Sequence, residues 1–165
     1  MRKSTIIIPV FNHAALTAQC LKAVCTERGA EVIVVDDAST DHTQQVLCSF
    51  GRKLKVLRHK ENRGFAVSCN EGAKAATGEY LVFLNNDTVP SPGWLQALER
   101  YAAENPEVAT VGAKLVYPND TIQHAGEGKR VVGPMPGFSF DAQAECRGSV
   151  YVAEDPGFVI TVAPA

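Results

Sequence analysis

The chain has 165 residues, of which 45% are hydrophobic and 21% are charged, and its formal net charge is −2. This length suits one domain that buries roughly 70% of its unfolded surface, and the charge gives no reason to expect a nucleic acid or an anionic membrane as the main partner. No apolar run approaches the roughly 18 residues of a membrane span, and the short apolar strand after Met1-Arg2-Lys3 is not a signal peptide.

The number and spacing of the cysteines indicate the redox state of the compartment in which the protein works. Five cysteines are scattered without a Cys-x-x-Cys pair, and four of them fall in predicted helices, so we expect small buried thiols rather than a disulfide framework or a zinc site. A reducing, cytoplasmic location follows, and peripheral association with the inner face of the membrane is compatible with it. The five are Cys20, Cys25, Cys48, Cys69 and Cys146.

Strand-like runs recur along the chain. The fourth, residues 80–84, is continuously apolar and runs into Asn85-Asn86-Asp87-Thr88, which predicts a strand buried on both faces. Pro9 interrupts the first run and must lie where no ladder hydrogen bond is needed. The predicted strands are residues 4–10, 31–35, 54–58, 80–84, 108–111, 114–117, 149–153 and 158–162.

Four helices separate the first strands. The first carries Leu16, Cys20, Leu21 and Val24 on one face and ends at Gly29. The second begins with an Asp41/Gln44 capping box and runs to about Phe50. The third runs from Gly64 to Gly78, and the fourth from an Ser91 N-cap, with Pro92 as its first residue, to about Asn105. The alternation predicts an α/β fold with a mostly parallel sheet and right-handed crossovers.

Glycines and prolines interrupt every regular pattern beyond about Gly126. We therefore predict one domain over residues 1–126. Residues 127–165 are predicted to be a loop-rich tail, or a remnant of a longer region.

Acidic residues follow the second and fourth strands, and in a parallel sheet both groups lie at the same edge. Asp87, after the fourth strand, can hold a hard divalent cation, so a nucleoside diphosphate bridged to it through Mg²⁺ or Mn²⁺ fits this edge. Turn formation is the simpler explanation for residues 85–88, and helix capping for Asp41. Asp36 and Asp37 are harder to explain as a turn, because two adjacent carboxylates repel each other unless a ligand, metal or donor offsets their charge.

The absence of two phosphate-binding motifs weighs against two enzyme classes, and three further residues have more than one explanation. Neither Gly-x-Gly-x-x-Gly after the first strand nor Gly-x-x-x-x-Gly-Lys-Ser/Thr occurs, which weighs against a dinucleotide oxidoreductase and a P-loop enzyme. Phe11 and Asn12 can contact a nucleobase, although packing at a helix start explains them equally well. His124 can ligate a metal or bind a phosphate oxygen, or be an ordinary loop histidine.

Several stretches, in this order and spacing, resemble the family 2 glycosyltransferases with the GT-A fold, a three-layer α/β/α Rossmann-like architecture. The resemblance covers roughly residues 4–126, and residues 112–115 and 122–126 resemble the bacterial rhamnosyltransferase-like branch in particular. The matching stretches are Ile6-Ile7-Ile8-Pro9-Val10-Phe11-Asn12, Val34-Val35-Asp36-Asp37-Ala38-Ser39-Thr40-Asp41, Asn62-Arg63-Gly64-Phe65-Ala66 with Asn70 and Gly72, Gly78 to Thr88, and Gly93-Trp94-Leu95.

The resemblance implies a nucleotide-sugar donor (UDP-, dTDP- or GDP-linked), a saccharide or lipid-linked acceptor, and a role in bacterial cell wall or surface polysaccharide synthesis. It implies that Asp36 or Asp37 hydrogen-bonds the nucleobase, and that Mn²⁺ or Mg²⁺ binds Asp87, with His124 as a second candidate ligand. The family reaction inverts the anomeric carbon and needs a general base for the acceptor hydroxyl. The other implied nucleotide-site residues are Pro9, Phe11, Asn12, Asn62, Gly64 and Asn86.

The chain departs from the family pattern in two places. Asn85 and Asn86 leave Asp87 as the single carboxylate of the metal motif, and the stretch that carries the family's base has no match, so Asp155 is the remaining candidate base. The sequence therefore predicts the donor-binding portion of an inverting, metal-assisted glycosyltransferase. The alternatives are a non-catalytic or truncated sugar-nucleotide-binding module, and a nucleotidyltransferase, which the absence of a Gly-rich, Lys/Arg-bearing loop disfavours.

Overall fold

The fold was analysed in a computed structural model, which describes residues 4–106 and 110–117 together with the backbone of residues 122–124, 151–152 and 159–162. Its elements in chain order are β1 (Ser4–Val10), α1 (Ala14–Val24), β2 (Glu31–Asp36), α2 (Thr43–Phe50), a 3₁₀ turn (Gly51–Lys53), β3 (Lys55–Arg58), α3 (Phe65–Ala75), β4 (Tyr80–Phe83), β5 (Thr88–Pro90), α4 (Trp94–Glu104), β6 (Val111–Gly112), β7 (Lys114–Val116), β8 (Ile122–His124), β9 (Tyr151–Val152) and β10 (Val159–Val162).

The main sheet has four parallel strands in the order β3-β2-β1-β4. β1 pairs with β2 from Thr5 opposite Glu31 to Val10 opposite Asp36, whereas its pairing with β4 ends at Ile7 opposite Phe83. The predicted α/β class with a mostly parallel sheet is confirmed. A smaller sheet has the order β5-β10-β7-β8, and β6 pairs with β9.

The two faces of the main sheet are covered by different helices. Ile6, Ile8 and Val34 face one side and pack in a cluster with buried residues of α1, α2 and α4. Residues of opposite parity, Ile7 and Val35, face α3 and are completely buried. Burial of each such aliphatic side chain contributes about 1.5–3 kcal/mol, so these β-branched strands form the core of the domain.

Gly72 allows α3 to approach the sheet closely. A Cβ at this position would lie 2.4 Å from Ile7 Cγ2 and 3.2 Å from Val35 Cγ2. Both of these neighbours are buried β-branched side chains, which have little freedom to move. The glycine is therefore required by packing and not by its backbone angles.

Pro9 is tolerated in the interior of the sheet because of the way β4 diverges. The Ile7 carbonyl accepts a hydrogen bond from Leu84 N, so the backbone of Ile7, and of Pro9 two residues later, faces the β4 side. Pairing with β4 has already ended there. No ladder bond is lost, as the sequence predicts.

The predicted burial of β4 on both faces is wrong. Leu81 is 44% exposed and Phe83 is 51% exposed. Within the described residues β4 is an edge strand, and α3 packs over β1 and β2 instead of over β4. One face of β4 therefore remains open.

Three predicted helix boundaries are also wrong. α1 ends at Val24 rather than Gly29. α4 begins at Trp94, after Gly93 in a left-handed conformation with φ 84°, rather than at Pro92. The short strand β5 (Thr88–Pro90) precedes it and was not predicted. The Asp41/Gln44 capping box is absent, since α2 begins at Thr43 after His42, and Asp41 instead accepts hydrogen bonds from Thr43 N at 2.9 Å and from Ala14 N at the start of α1.

The remaining expectations concern the cysteines, the domain boundary and membrane-spanning segments. The expectation of buried thiols holds for Cys20 but not for Cys48, which is exposed. The proposed domain boundary at residues 126/127 and Cys146 lie outside the described residues. Within the described part of the chain, no helix combines the length and apolarity needed to cross a bilayer.

Substitution Gly72→Ala should lower the free energy of unfolding by about 1–3 kcal/mol, because overpacking against Ile7 and Val35 outweighs the gain in helix propensity. Chemical denaturation measures this difference. Asn70→Ala, at an exposed position of the same helix, is the control and should change stability by no more than about 0.5 kcal/mol. A Gly72→Ala variant as stable as the parent would contradict the close approach of α3.

Candidate functional site

The carboxyl ends of β1, β2 and β4 lie at the same edge of the sheet, as required by their parallel pairing. The turns that follow these strands are residues 11–13, 37–42 and 84–87, and the segment after β3, residues 59–64, lies beside the second of them. Hydrogen bonds link these four segments, and we refer to the edge that they form, beyond the point where β4 diverges from β1, as the crevice. Open α/β sheets bind their ligands at such an edge.

One side chain connects the first two turns. Asn12 Oδ1 accepts hydrogen bonds from Thr40 N (2.8 Å) and Asp41 N (3.3 Å), and Asn12 N donates to Ser39 Oγ (2.8 Å). Asp41 Oδ2 in turn accepts a hydrogen bond from Ala14 N, at 3.0 Å. We refer to Asn12, Ala14, Ser39, Thr40 and Asp41 as the Asn12 brace.

The brace holds strained backbone. Asn12, His13 and Ala38 have φ of 60°, 62° and 62°, and all three are in the braced turns. Left-handed conformations cost residues other than glycine about 1–3 kcal/mol each and persist only where surrounding contacts impose them. Strain of this kind concentrates at binding sites, which supports a functional role for this edge.

Asp36 is neutralised within the chain. Its side chain is 1% exposed, with Oδ1 accepting a hydrogen bond from Ser39 N (2.9 Å) and Oδ2 forming an ion pair with Arg58. Arg58 also donates to the Ser39 carbonyl oxygen, at 2.9 Å. The carboxylate therefore shapes the turn after β2 and needs no external ligand.

Asp37 has three donors of its own. Arg63 N and Gly64 N donate to its two oxygens at 2.8 Å each, and His59 Nδ1 lies 2.6 Å from Oδ1. Burial opposes ionisation of Asp37, but these hydrogen bonds outweigh it and lower its pKa below the usual value. Gly64, at φ 87°, adopts the left-handed conformation that delivers its N–H to the carboxylate. The expected repulsion between Asp36 and Asp37 is thus offset by internal donors.

The turn after β4 is fastened to α1. Asn86 Nδ2 donates to Thr17 Oγ1 at 2.9 Å and to the Asn12 carbonyl at 3.5 Å. Cys20 Sγ lies 3.7 Å from the Asn85 carbonyl. Burial, reinforced by the nearby Asp87 carboxylate, raises the pKa of Cys20 to about 12. The thiol therefore stays protonated and donates a hydrogen bond to the Asn85 carbonyl oxygen. Thr17 therefore holds the side chain of Asn86, and Cys20 holds the carbonyl group of the residue before it.

Asp87 differs from the other two acids. Its Oδ1 is buried and has no hydrogen-bond partner among the described residues. A buried carboxylate oxygen without a donor is costly, and a cation would remove that cost. No group of three or more His, Cys, Asp or Glu side chains suited to a metal ion occurs in the described part of the chain. The arrangement fits a cation that takes one protein oxygen and completes its shell with phosphate and water.

The remaining predicted site residues take different positions. Pro9 is buried within β1, Phe11 is 47% exposed on the turn that follows, and Asn62 is exposed before α3. The backbone of His124, in β8, pairs with that of Leu115, in β7. The side chain of His124 and all of Asp155 lie outside the described residues. Asn12 Oδ1, which was expected near a base, is engaged in the brace.

Sequence reasoning missed four residues that build this site: Thr17, Arg58, His59 and Glu71. Arg58 and His59 directly follow β3, and strands β2 and β3 are neighbours, so the parallel order was the available signal. Thr17 and Glu71 lie on helices, and nothing in their local sequence distinguishes them from ordinary helix residues.

Comparison with known proteins gives a consistent result. The family model described as "Glycosyl transferase family 2" matches residues 5–153. The pre-mycofactocin glycosyltransferase of Mycobacterium tuberculosis is 34% identical over 120 residues, which are 70% of this chain and 24% of that protein. The O-antigen biosynthesis protein RfbC of Myxococcus xanthus is 51% identical over 71 residues, 42% of this chain and 5% of that protein. The chain thus spans about a quarter or less of the length of these relatives.

Solved structures match the same region. S. aureus TarS 1-349 superposes with a TM-score of 0.62 at 28% identity, covering 69% of this chain and 36% of TarS 1-349. Its complex with UDP-GlcNAc gives a TM-score of 0.60. The mannosyltransferase PcManGT from Pyrobaculum calidifontis, in complex with GDP-Man and Mn²⁺, superposes with a TM-score of 0.59 at 27% identity and covers 69% of this chain and 34% of its own. These neighbours confirm the expected GT-A architecture.

Substitution Asn12→Ala should lower the free energy of unfolding by about 1–3 kcal/mol, because two backbone amides lose their acceptor and alanine tolerates the left-handed conformation poorly. Asn12→Asp is the matched control, since aspartate keeps both the acceptor and the tolerance of positive φ. Urea denaturation of the two variants should separate them. Equal losses for Asn12→Ala and Asn12→Asp would show that the brace does not depend on Oδ1.

Proposed function

This chain belongs to glycosyl transferase family 2, and from that membership and the crevice geometry we propose that it binds a nucleoside-diphosphate sugar for transfer to an acceptor hydroxyl. The observation that carries the proposal is Oδ1 of Asp87, which is buried and has no hydrogen-bond partner among the described residues, whereas Asp36 and Asp37 have donors within the chain. An oxygen of this kind suits a cation that accompanies a diphosphate.

The nucleobase is proposed to lie between the first two turns. Phe11 offers an exposed aromatic face there. Of the two adjacent acids, Asp37 is the better partner for a base N–H, because its Oδ2 accepts one hydrogen bond and has a second lone pair, whereas Asp36 is committed to Arg58. Asn62 and Gly64 would close the base pocket from the side of α3.

The diphosphate is proposed to lie over the turn after β4. Asp87 would hold Mn²⁺ or Mg²⁺, which neutralises the charge of the leaving group as a Lewis acid. Asn86, through Thr17, keeps the main chain of this turn in place. PcManGT was solved with GDP-Man and Mn²⁺, and TarS 1-349 with UDP-GlcNAc, which supports a nucleotide sugar as the ligand class. His124 stays a second candidate ligand.

Inversion at the anomeric carbon is proposed by analogy with the family and requires a general base near the acceptor. Asp155 stays a prediction for that role. The name of the Myxococcus relative, an O-antigen biosynthesis protein, supports a saccharide or lipid-linked acceptor in surface polysaccharide synthesis. A cytoplasmic site of action, at the inner face of the membrane, is part of the same proposal.

A thermal-shift panel tests donor binding. UDP-GlcNAc, GDP-Man and a dTDP-sugar, each with and without Mn²⁺, should include at least one ligand that stabilises the chain by about 2.7 kcal/mol at a hundred times its dissociation constant. The absence of any shift would overturn the donor site. Release of nucleoside diphosphate when an acceptor is added would separate transfer from binding alone, and incorporation from a nucleoside triphosphate would favour a nucleotidyltransferase.

Asp87→Ala should abolish the increase in nucleotide-sugar affinity that Mn²⁺ causes and leave the affinity without metal unchanged. The reason is that the cation loses its protein oxygen while the base pocket is unchanged. Glu79→Ala is the control, since this exposed acid precedes β4 at the opposite edge of the sheet. Titration calorimetry with and without Mn²⁺ provides the measurement. A metal-dependent increment of equal size in Asp87→Ala would remove Asp87 from the metal site.

A further inference from the structure

His59 lies between two carboxylates. Its Nδ1 is 2.6 Å from Asp37 Oδ1, and its Nε2 is 2.8 Å from Glu71 Oε2 on α3. Glu71 also forms an ion pair with Arg63, whose backbone N–H donates to Asp37 at 2.8 Å. The four residues Asp37, His59, Glu71 and Arg63 form a closed circuit of hydrogen bonds, which we call the His59 ring.

The geometry of the ring specifies a protonated histidine. An ionised carboxylate can only accept hydrogen bonds, and neutral imidazole has a single N–H. A neutral His59 would therefore direct a nitrogen lone pair at an oxygen of Asp37 or of Glu71. Only the imidazolium donates to both.

The surrounding charges agree with this protonation state. The hydrogen bond to Asp37 raises the pKa of His59, the bond to Glu71 adds to the effect, and burial opposes it. The charged groups that face the imidazole are Asp37 from the turn after β2, Glu71 from α3 and Arg63 from the loop that precedes α3. With His59 protonated, the two negative charges of Asp37 and Glu71 are balanced by the two positive charges of His59 and Arg63. Loss of the proton leaves one uncompensated negative charge.

The ring determines the position of residues that belong to the proposed donor site. Asp37 is the proposed partner of the nucleobase, and Arg63 and Gly64 donate their backbone N–H groups to it. A neutral His59 would free one of the two carboxylates from its donor, so the loop at residues 62–64 would loosen. Nucleotide binding would then have to restore the order of that loop and also tolerate the additional negative charge.

We propose that His59 and Glu71 are positioning residues for the donor site, and that protonated His59 holds Asp37 and residues 62–64 in the arrangement that binds the nucleotide. Affinity for a nucleotide sugar therefore decreases as His59 loses its proton. This inference rests on the proposed function, since it assigns a role to side chains that do not themselves touch the ligand.

A measurement without ligand tests the ring by itself. Because the pKa of His59 is higher in the folded chain than the value of about 6.5 in the unfolded chain, the stabilisation it supplies is complete below that value and is lost as pH rises through the folded pKa. The stability difference between the parent and His59→Gln should therefore shrink over this window. In NMR, the His59 imidazole should titrate above 6.5, and Glu71→Gln should lower its midpoint.

A second measurement tests the effect on binding. UDP-GlcNAc and GDP-Man, with Mg²⁺, serve as probes between pH 6 and 8.5, because their esterified diphosphates do not titrate in this range. The affinity of the parent for whichever probe binds should fall by about fivefold or more across the window, and the affinity of His59→Gln should be weaker at pH 6 and independent of pH. His42→Gln, at an exposed histidine outside the ring, is the control and should follow the parent profile.

The outcomes separate the two proposals. Failure of every nucleotide sugar to bind the parent at any pH would overturn the proposed function, whereas the NMR titration would still report on the ring. Parallel pH profiles for the parent and His59→Gln would overturn the positioning role while leaving donor binding in place. A His59 that titrates below 6.5 would overturn the protonated ring, even if the substituted variants fail to fold.

Discussion

The architecture of the site depends on the hydrogen bonds that Asn12 makes with the turn after β2. One amide oxygen satisfies two backbone N–H groups of that turn, and the Asn12 carbonyl receives Asn86 from the turn after β4. The turn after β1 is thus the centre to which both neighbouring turns are attached. Three non-glycine residues in left-handed conformations persist around it because these bonds leave the chain no relaxed alternative. A preorganised edge of this kind lowers the ordering cost that a ligand would otherwise meet on binding.

The three acids of the crevice are compensated in different ways, and the difference indicates where the ligand charge belongs. Asp36 is paired with Arg58, and Asp37 receives two backbone amides and an imidazolium, so both are balanced within the chain. Asp87 keeps an oxygen that is buried and unpartnered among the described residues. The first two acids shape the pocket, and the third is available to a cation. This division of roles is consistent with a nucleotide sugar whose base lies near Asp37 and whose diphosphate lies near Asp87.

Much of the sheet and the position of Asp87 could be predicted from sequence, because β-branched runs such as residues 4–10 and 31–35 form buried strands and polar residues directly follow them. The partners of the acids could not be predicted. Thr17 and Asn86 are 69 residues apart and His59 and Asp37 are 22 apart, and pairs of this kind depend on how helices pack on the sheet, which no local pattern encodes. The openness of β4 was missed for a related reason, since an apolar run does not reveal whether its strand lies at an edge.

The central claim is that the donor occupies the crevice at the carboxyl ends of β1, β2 and β4. It is tested most directly by following the backbone amides in ¹H–¹⁵N NMR spectra while UDP-GlcNAc or GDP-Man is added with Mg²⁺. The account predicts that the shifted amides cluster in residues 10–14, 36–41, 62–65 and 85–88, while amides at the opposite edge, around Glu31 and Thr77, stay unchanged. Shifts concentrated around Glu31 and Thr77, or along the exposed face of β4 alone, would contradict it.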